Sequence, residues 1–258
     1  VKNRAIMGSM HTGLEESPGG FERMAAYFAE RAAGGVGMII TGGIAPNEEG
    51  GMVFRDENGD AVFTASKLST DAEADGHKLI TDAVHAADPD VKICMQILHM
   101  GPLAMNDQLV APSAVRSRIS KFTPNELDAE GIEKQIEDHV NCARLAQKAG
   151  YDGVEIIGSA GYLISTFLVE KTNMRTDEYG GSYENRMRFA LEVVRRCRAA
   201  VGGDFIIIFR IAGMDMLEGG MSWDEVALLA RELEKAGASI ISTHFTWHES
   251  AVPTIATM

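Results

Sequence analysis

The sequence predicts an α/β protein built as a TIM (β/α)8 barrel, with about six βα units inside the 258 residues. Two observations carry this. Short apolar runs alternate with amphipathic helical patterns along the chain, and each apolar run ends in a polar or glycine-rich cluster. Strand and helix repeated with right-handed crossovers build a parallel sheet, and strands with little alternation are covered on both faces. An open doubly wound sheet fits that alternation equally well. The terminal clusters favour the barrel, which gathers its strand ends around one mouth, whereas an open sheet scatters them. The chain reaches Met258 about where a sixth helix would begin, and it opens on Val1 close to a strand-like run. The expectation is three quarters of a barrel from a longer protein, with strands seven and eight outside it.

The elements follow in order. Residues 4–7 read as the first strand and end in the loop Gly8-Ser9-Met10-His11-Thr12-Gly13. Phe21, Met24, Ala25 and Phe28 fall at helical spacing over residues 20–33, and Gly34-Gly35 stops that helix. A second strand, 36–41, leads into Gly42-Gly43 and a long mixed loop over 44–69, of the kind that more often serves as a functional lid than arises by accident. A helix over 70–87 precedes the third strand, 91–98, which ends in Gln96 and His99. After an irregular stretch with Pro102, Pro112 and Pro124, Ile132, Ile136, Val140 and Ala143 mark an amphipathic helix over 128–149. The fourth strand, 154–157, spills into a long polar turn, and a helix is expected over 183–201. The fifth strand, 205–211, contains Arg210. Ser222-Trp223-Asp224-Glu225 has the form of a capping box for a helix over 222–236, and a sixth strand, 238–243, gives way to His244 and His248.

Composition narrows the function. A formal net charge of -13 opposes nucleic acid and anionic membranes as general partners, while leaving room for an anionic small molecule at a local basic spot. Cys94, Cys142 and Cys197 are scattered and odd in number, which fits reduced thiols better than a disulfide framework or metal cage. No apolar run approaches the roughly 20 residues of a membrane span, and no leader pattern opens the chain. A soluble cytoplasmic protein is expected.

Taken singly, the clusters have ordinary explanations: a Gly-Gly pair makes a turn, a histidine or tyrosine at a strand end packs, and an arginine there forms an ion pair. Their coincidence on one rim outweighs those readings. The chain carries no Gly-x-Gly-x-x-Gly fingerprint, Walker loop or His-Glu-x-x-His. Tyr162, His248, Arg210 and Gln96 suit a site that donates one proton and stabilises negative charge. Physical reasoning leaves the reaction open at that point.

The stretch 158–189, with Gly161-Tyr162-Leu163, Asn173, Arg175, Asp177, Tyr179-Gly180-Gly181-Ser182, Glu184-Asn185-Arg186 and Arg188-Phe189, resembles the signature of the old yellow enzyme family of flavin-dependent ene-reductases. Asn3-Arg4, Gln96-x-x-His99-x-Gly101 and Ala111-Pro112-Ser113 resemble its other markers in the same order, so the likeness spans essentially the whole chain. Within the family, residues 8–16, 42–46 and Trp247-His248-Glu249 are similar to the bacterial NADPH-dependent 2,4-dienoyl-CoA reductases.

The resemblance implies that residues 1–258 form part of an FMN-binding barrel, continued by the rest of the barrel, a 4Fe-4S region, and regions for FAD and NADPH. The loops that hold the flavin phosphate, and the cluster cysteines, would lie beyond Met258. Ser9, Met10 and His11 would lie along the flavin, with Gly43 allowing close backbone approach. Gln96 would bond the pyrimidine edge, and Arg210 would sit beside the atoms that become anionic on reduction. Tyr162 would be the proton donor with His248 as its partner, and Lys171, His248 and Glu249 would meet an acyl-CoA substrate. The implied reaction is hydride transfer to the far end of a conjugated dienoyl thioester. Two departures stand out. Ile157 and Ala160 replace the side chains with which classical ene-reductases hold an enone carbonyl, and Lys171 and Ala251 replace two arginines of the dienoyl-CoA reductases. A 2-enoate reductase, an amine dehydrogenase and a non-catalytic flavin-binding barrel are the alternatives.

Overall fold

The computed structural model describes residues 1–51 and 64–250. The central part of the proposed 44–69 lid, and Ala251, lie outside the described residues.

Six parallel strands form one sheet in simple chain order: β1 (Ile6–Met7), β2 (Met38–Ile44), β3 (Lys92–Ile97), β6 (Gly153–Gly158), β7 (Ile206–Met214) and β8 (Ile240–Phe245). A doubly wound sheet reverses its strand order at a switch point. This one never reverses, which selects the barrel and excludes the open sheet. The sheet is a curled part-barrel, with β1 and β8 unpaired to each other among the described residues. A short parallel ribbon, β4 (Val110–Ala111) with β5 (Asn125–Glu126), stands apart from it in the proline-containing stretch.

Alternation along the strands separates two faces. Ile39, Ile93, Met95, Val154, Ile156, Ile207 and Phe209 join the main core, together with the apolar stripes of α1 (Gly20–Ala33), α2 (Asp71–Ala87), α3 (Ala129–Lys148), α6 (Arg188–Val201) and α7 (Trp223–Ala236). The opposite, inner face starts with a small apolar cluster of Met38, Ile40, Cys94 and Ile208. Further along the same face come Gln96 of β3, Glu155 of β6 and Arg210 of β7, so the barrel interior turns polar toward its C-terminal mouth.

The helix boundaries have identifiable causes. Thr70 with Glu73, and Ser222 with Glu225, form reciprocal capping boxes, and Asp128 caps α3 by accepting from Gly131. α1 and α2 approach so closely that a Cβ on Gly76 would stand 2.6 Å from the Phe21 ring.

Several elements depart from the sequence expectation. The helix expected over 183–201 is two, α5 (Tyr183–Arg186) and α6, joined at Met187. Arg186 is pulled inward at that joint, where it donates to the carbonyls of Leu168 and Gly181 and pairs with Glu225 at 2.7 Å. A short helix after Tyr162, α4 (Leu163–Leu168), carries too few residues for periodicity to reveal it. β8 starts two residues later than expected because Ala238 still bonds the Leu233 carbonyl at the end of α7. It then runs on to Phe245 and takes His244 into the sheet. No helix among the described residues is long and apolar enough to cross a membrane. Burial pushes all three free cysteine thiols up, which marks them as packing residues.

Candidate active site

The C-terminal ends of the strands surround a cavity of about 300 Å³, lined by Ser9, His11, Gly43, Gln96, Ile157, Ala160, Tyr162, Arg210, His244 and His248, among others. Register explains much of this assembly. Gly43 lies beside Gln96, Gln96 beside Glu155, Ile157 beside Arg210, and Ala212 beside His244. A register shift in β2 between Ile40 and Gly43 brings the Thr41 hydroxyl to the Gln96 backbone N–H at 3.1 Å, which fixes how far β2 advances into the mouth.

Tyr162 and His248 come from separate strand ends and meet at 2.8 Å between the phenol oxygen and Nε2. Their rings are packed edge to face. The turn that presents Tyr162 is unusual. Ala160 adopts φ 68° and Gly161 φ 93°, and a side chain at Gly161 would collide with the Trp247 indole at 2.8 Å. A non-glycine residue at positive φ is worth a functional question. Here the turn lets Ala160 bridge to Trp247 and accept from the His248 N–H at 3.2 Å, which ties the end of β8 to the tyrosine loop. Buried Ser165 locks the same turn by accepting from Gly161 and donating to the Ser159 carbonyl.

The electrostatics suit proton donation. Burial raises the Tyr162 phenol above its ordinary value, with Arg210 pulling the other way. Burial lowers His248, and burial with Arg210 and His248 nearby lowers His244 to about 4. At neutral pH the phenol is protonated and both imidazoles are neutral. Arg210 reaches His244 Nδ1 at 3.4 Å and faces Glu155 at 3.9 Å.

Most of the residues singled out from sequence converge: Ser9, His11, Gly43, Gln96, Arg210, Tyr162 and His248 all line the cavity. Met10 does not; the residue is 50% exposed. Beside Ser9, His11 is held by Glu16 at 2.9 Å, which raises its pKa. Lys171 and Glu249 line a separate, adjoining groove together with Arg116, Arg118, Gly161 and Trp247. Sequence reasoning passed over His244, Glu155, Arg116 and Arg118 as site residues. Glu155 had a readable signal, a lone carboxylate inside an apolar strand; the two arginines sit in an irregular stretch with no periodicity to place them.

The cavity fits the FMN that the sequence resemblance implies. Its walls carry Gly43, Ala45, Gly50, Gly51 and Ala160. A Cβ at Gly43 would lie 2.6 Å from Leu98, and one at Gly50 would lie 2.5 Å from the His99 ring, so those walls admit no larger residue. Between such flat walls the Gln96 amide and the Arg210 guanidinium offer hydrogen bonds and a fixed cation, the combination suited to an imide edge that gains negative charge on reduction.

Residues 1–257 match the NADH:flavin oxidoreductase / NADH oxidase family. The chain is 37% identical over 259 residues to a metal reductase of Desulforamulus reducens, covering 99% of this chain and 37% of that protein. Its structure is similar to 2-naphthoyl-CoA reductase in complex with 2-naphthoyl-CoA, with a TM-score of 0.85, 29% identity, and coverage of 98% of this chain and 40% of the other. It is also similar to the old yellow enzyme homologue from Zymomonas mobilis, with a TM-score of 0.78, 29% identity, and coverage of 95% and 70%. The chain thus spans about two fifths of the length of the metal reductase and of 2-naphthoyl-CoA reductase. The family match over all but the last residue, on a part-barrel whose mouth is built for a flavin, places this chain in the NADH:flavin oxidoreductase / NADH oxidase family.

Proposed function

We propose that the chain is the catalytic barrel of a flavin-dependent reductase of conjugated C=C bonds in unsaturated acyl-CoA esters, of the 2,4-dienoyl type, with NADPH as the ultimate donor. In the longer protein, FAD and a 4Fe-4S cluster would relay electrons from that donor. The observation that carries the substrate class is the groove beside the cavity. Arg116, Arg118 and Lys171 line it, and none of them pairs with a carboxylate among the described residues. Three cations against the single carboxylate of Glu249 make the groove locally basic in a chain of net charge -13. They suit the phosphates of a coenzyme A tail. Glu249 also faces the groove, with Oε2 accepting from the Arg118 backbone N–H at 2.9 Å. Gly161 and Trp247 line the groove while their neighbours Tyr162 and His248 line the cavity, so a thioester held in the groove reaches the phenol directly. The complex of 2-naphthoyl-CoA reductase with its CoA ester supports the same class.

Bound FMN supplies the hydride. Tyr162 supplies the proton to the dienolate carbon, and with Nε2 protonated His248 donates to the phenol oxygen, leaving the phenol proton free to point at the substrate. The developing phenolate is stabilised by that hydrogen bond and by Arg210. Ile157 and Ala160 offer no side-chain donor to a substrate carbonyl, so a free enone finds no classical clamp here. Steady-state kinetics of Arg116→Ala/Arg118→Ala test the assignment. KM for a dienoyl-CoA is expected to rise about tenfold or more for each guanidinium–phosphate hydrogen bond removed, at the 1.5–3 kcal/mol of a hydrogen bond to a charged group. An unchanged KM would remove the groove from substrate binding.

A further inference from the structure

We propose that Glu155 is a positioning residue for the bound cofactor: it orients the Gln96 amide so that its oxygen is the acceptor offered to the cavity, and it compensates part of the charge of Arg210. The inference rests on the family's flavin and is independent of the acyl-CoA reading.

Glu155 is wholly buried in β6, between Val154 and Ile156 of the main core, and lies in register with Gln96. Its Oε2 accepts from Gln96 Nε2 at 2.6 Å. Its Oε1 has no hydrogen-bond partner and faces Arg210 Nη1 at 3.9 Å. That separation is too long for a hydrogen bond, so the coupling to Arg210 is a field effect across the layer. A buried carboxylate with one oxygen unsatisfied is a costly choice where an apolar residue would pack, which calls for a role other than stability.

The chemistry of the pair supplies that role. Opposite a guanidinium, Glu155 is a carboxylate and can only accept. One N–H of Gln96 Nε2 is committed to it, which holds the amide with its nitrogen toward Glu155 and its oxygen turned away. The Gln96 oxygen has no protein partner among the described residues, and Gln96 lines the cavity. The cavity floor therefore presents an acceptor from Gln96 together with donors from Arg210. The complementary ligand edge is an N–H beside a carbonyl, an imide edge such as the flavin pyrimidine carries. The flank of Arg210 opposite Glu155 meets His244, which is neutral at physiological pH. Glu155 is thus the one carboxylate paired with Arg210 among the described residues. Removing its charge leaves Arg210 uncompensated and favours the anionic, reduced cofactor.

The test uses the FMN-loaded full-length protein and two readouts. The first is the two-electron midpoint potential of bound FMN in wild type, Glu155→Gln and Glu155→Asp. The neutral variant is expected to favour the reduced form at least tenfold, a positive shift of about 30 mV for a two-electron couple, and the aspartate is expected to restore most of the wild-type value. The second is the relative affinity of the wild-type apoprotein for FMN and for 3-methyl-FMN, which lacks the imide N–H. A Gln96 amide held with its oxygen toward the cavity predicts binding about tenfold weaker for the methylated cofactor. An unshifted potential in Glu155→Gln, or equal affinity for the two flavins, would overturn the proposal. If the neutral variant fails to hold FMN, the wild-type affinity ratio decides alone. Neither readout involves an acyl-CoA, so failure here is separate from failure of the substrate assignment.

Discussion

At the scale of single residues, the proposed reaction rests on the Tyr162–His248 pair. The phenol is raised by burial and stays protonated across the neutral range, so proton donation should not titrate away below about pH 10. Tyr162→Phe is expected to slow reoxidation of the reduced holoenzyme by an enoyl substrate about 10²–10⁴-fold while leaving FMN bound, as read by anaerobic stopped-flow. A loss under about twofold would assign the proton to another donor. The sequence exposed these two residues because both sit just past strand ends, where barrel chemistry collects. It shows Glu155 only as a lone carboxylate in an apolar strand and His244 only as a residue after one; their places at the cavity come from lateral register between strands, and register across a parallel sheet is set by crossovers that one strand's own residues do not encode. Ala160 is legible in the sequence as a departure from the classical pattern, but its positive φ, which steers Tyr162 toward His248, has no signature in an alanine.

Elements divide the labour. The stretch that announces the family does mostly structural work. Asn173 donates to the carbonyls of Phe167 and Tyr179, Arg175 donates to that of Pro112 at 3.0 Å, and Arg186 anchors α4 to α7 through the Leu168 carbonyl and Glu225. These residues hold the end of α4 and the long turn that follows it, and none of them lines the cavity. Arg186 also binds the carboxylate that closes the α7 capping box, so cap and turn are joined at Glu225. Ser222→Ala, which removes the side-chain acceptor of that box and leaves Glu225 in place, is expected to cost about 1 kcal/mol by urea denaturation. No change in the unfolding midpoint would show the box to be idle. This cap was legible because its Ser-x-x-Glu spacing is local. The split at Met187 was not, since it follows from the burial of one arginine among partners far away in sequence.

At the scale of the molecule, six sequential parallel strands place every cluster on one rim, with helices outside and a polar layer at the top of the inner face. The same packing buries His77, His99 and His139, and desolvation lowers all three, His77 to about 4. A histidine whose folded pKa lies below its unfolded value stabilises the fold fully above about pH 6.5, and that contribution is lost as pH falls from there toward the folded pKa. His11 acts in the opposite sense, since Glu16 raises it, but its side chain is largely exposed and is outweighed by three buried rings. The urea midpoint is therefore expected to fall between about pH 7.5 and about pH 5, and a midpoint constant over that interval would contradict this reading of the interior. Above all, the cavity and its cationic groove are expected to work together on a conjugated acyl-CoA. Photoreducing the FMN-loaded full-length protein anaerobically and mixing it with a 2,4-dienoyl-CoA, while following flavin absorbance, tests this without intermediaries. Rapid reoxidation by the CoA ester, much slower with free cyclohexenone, is the predicted result; prompt reoxidation by cyclohexenone with none by the ester would contradict it.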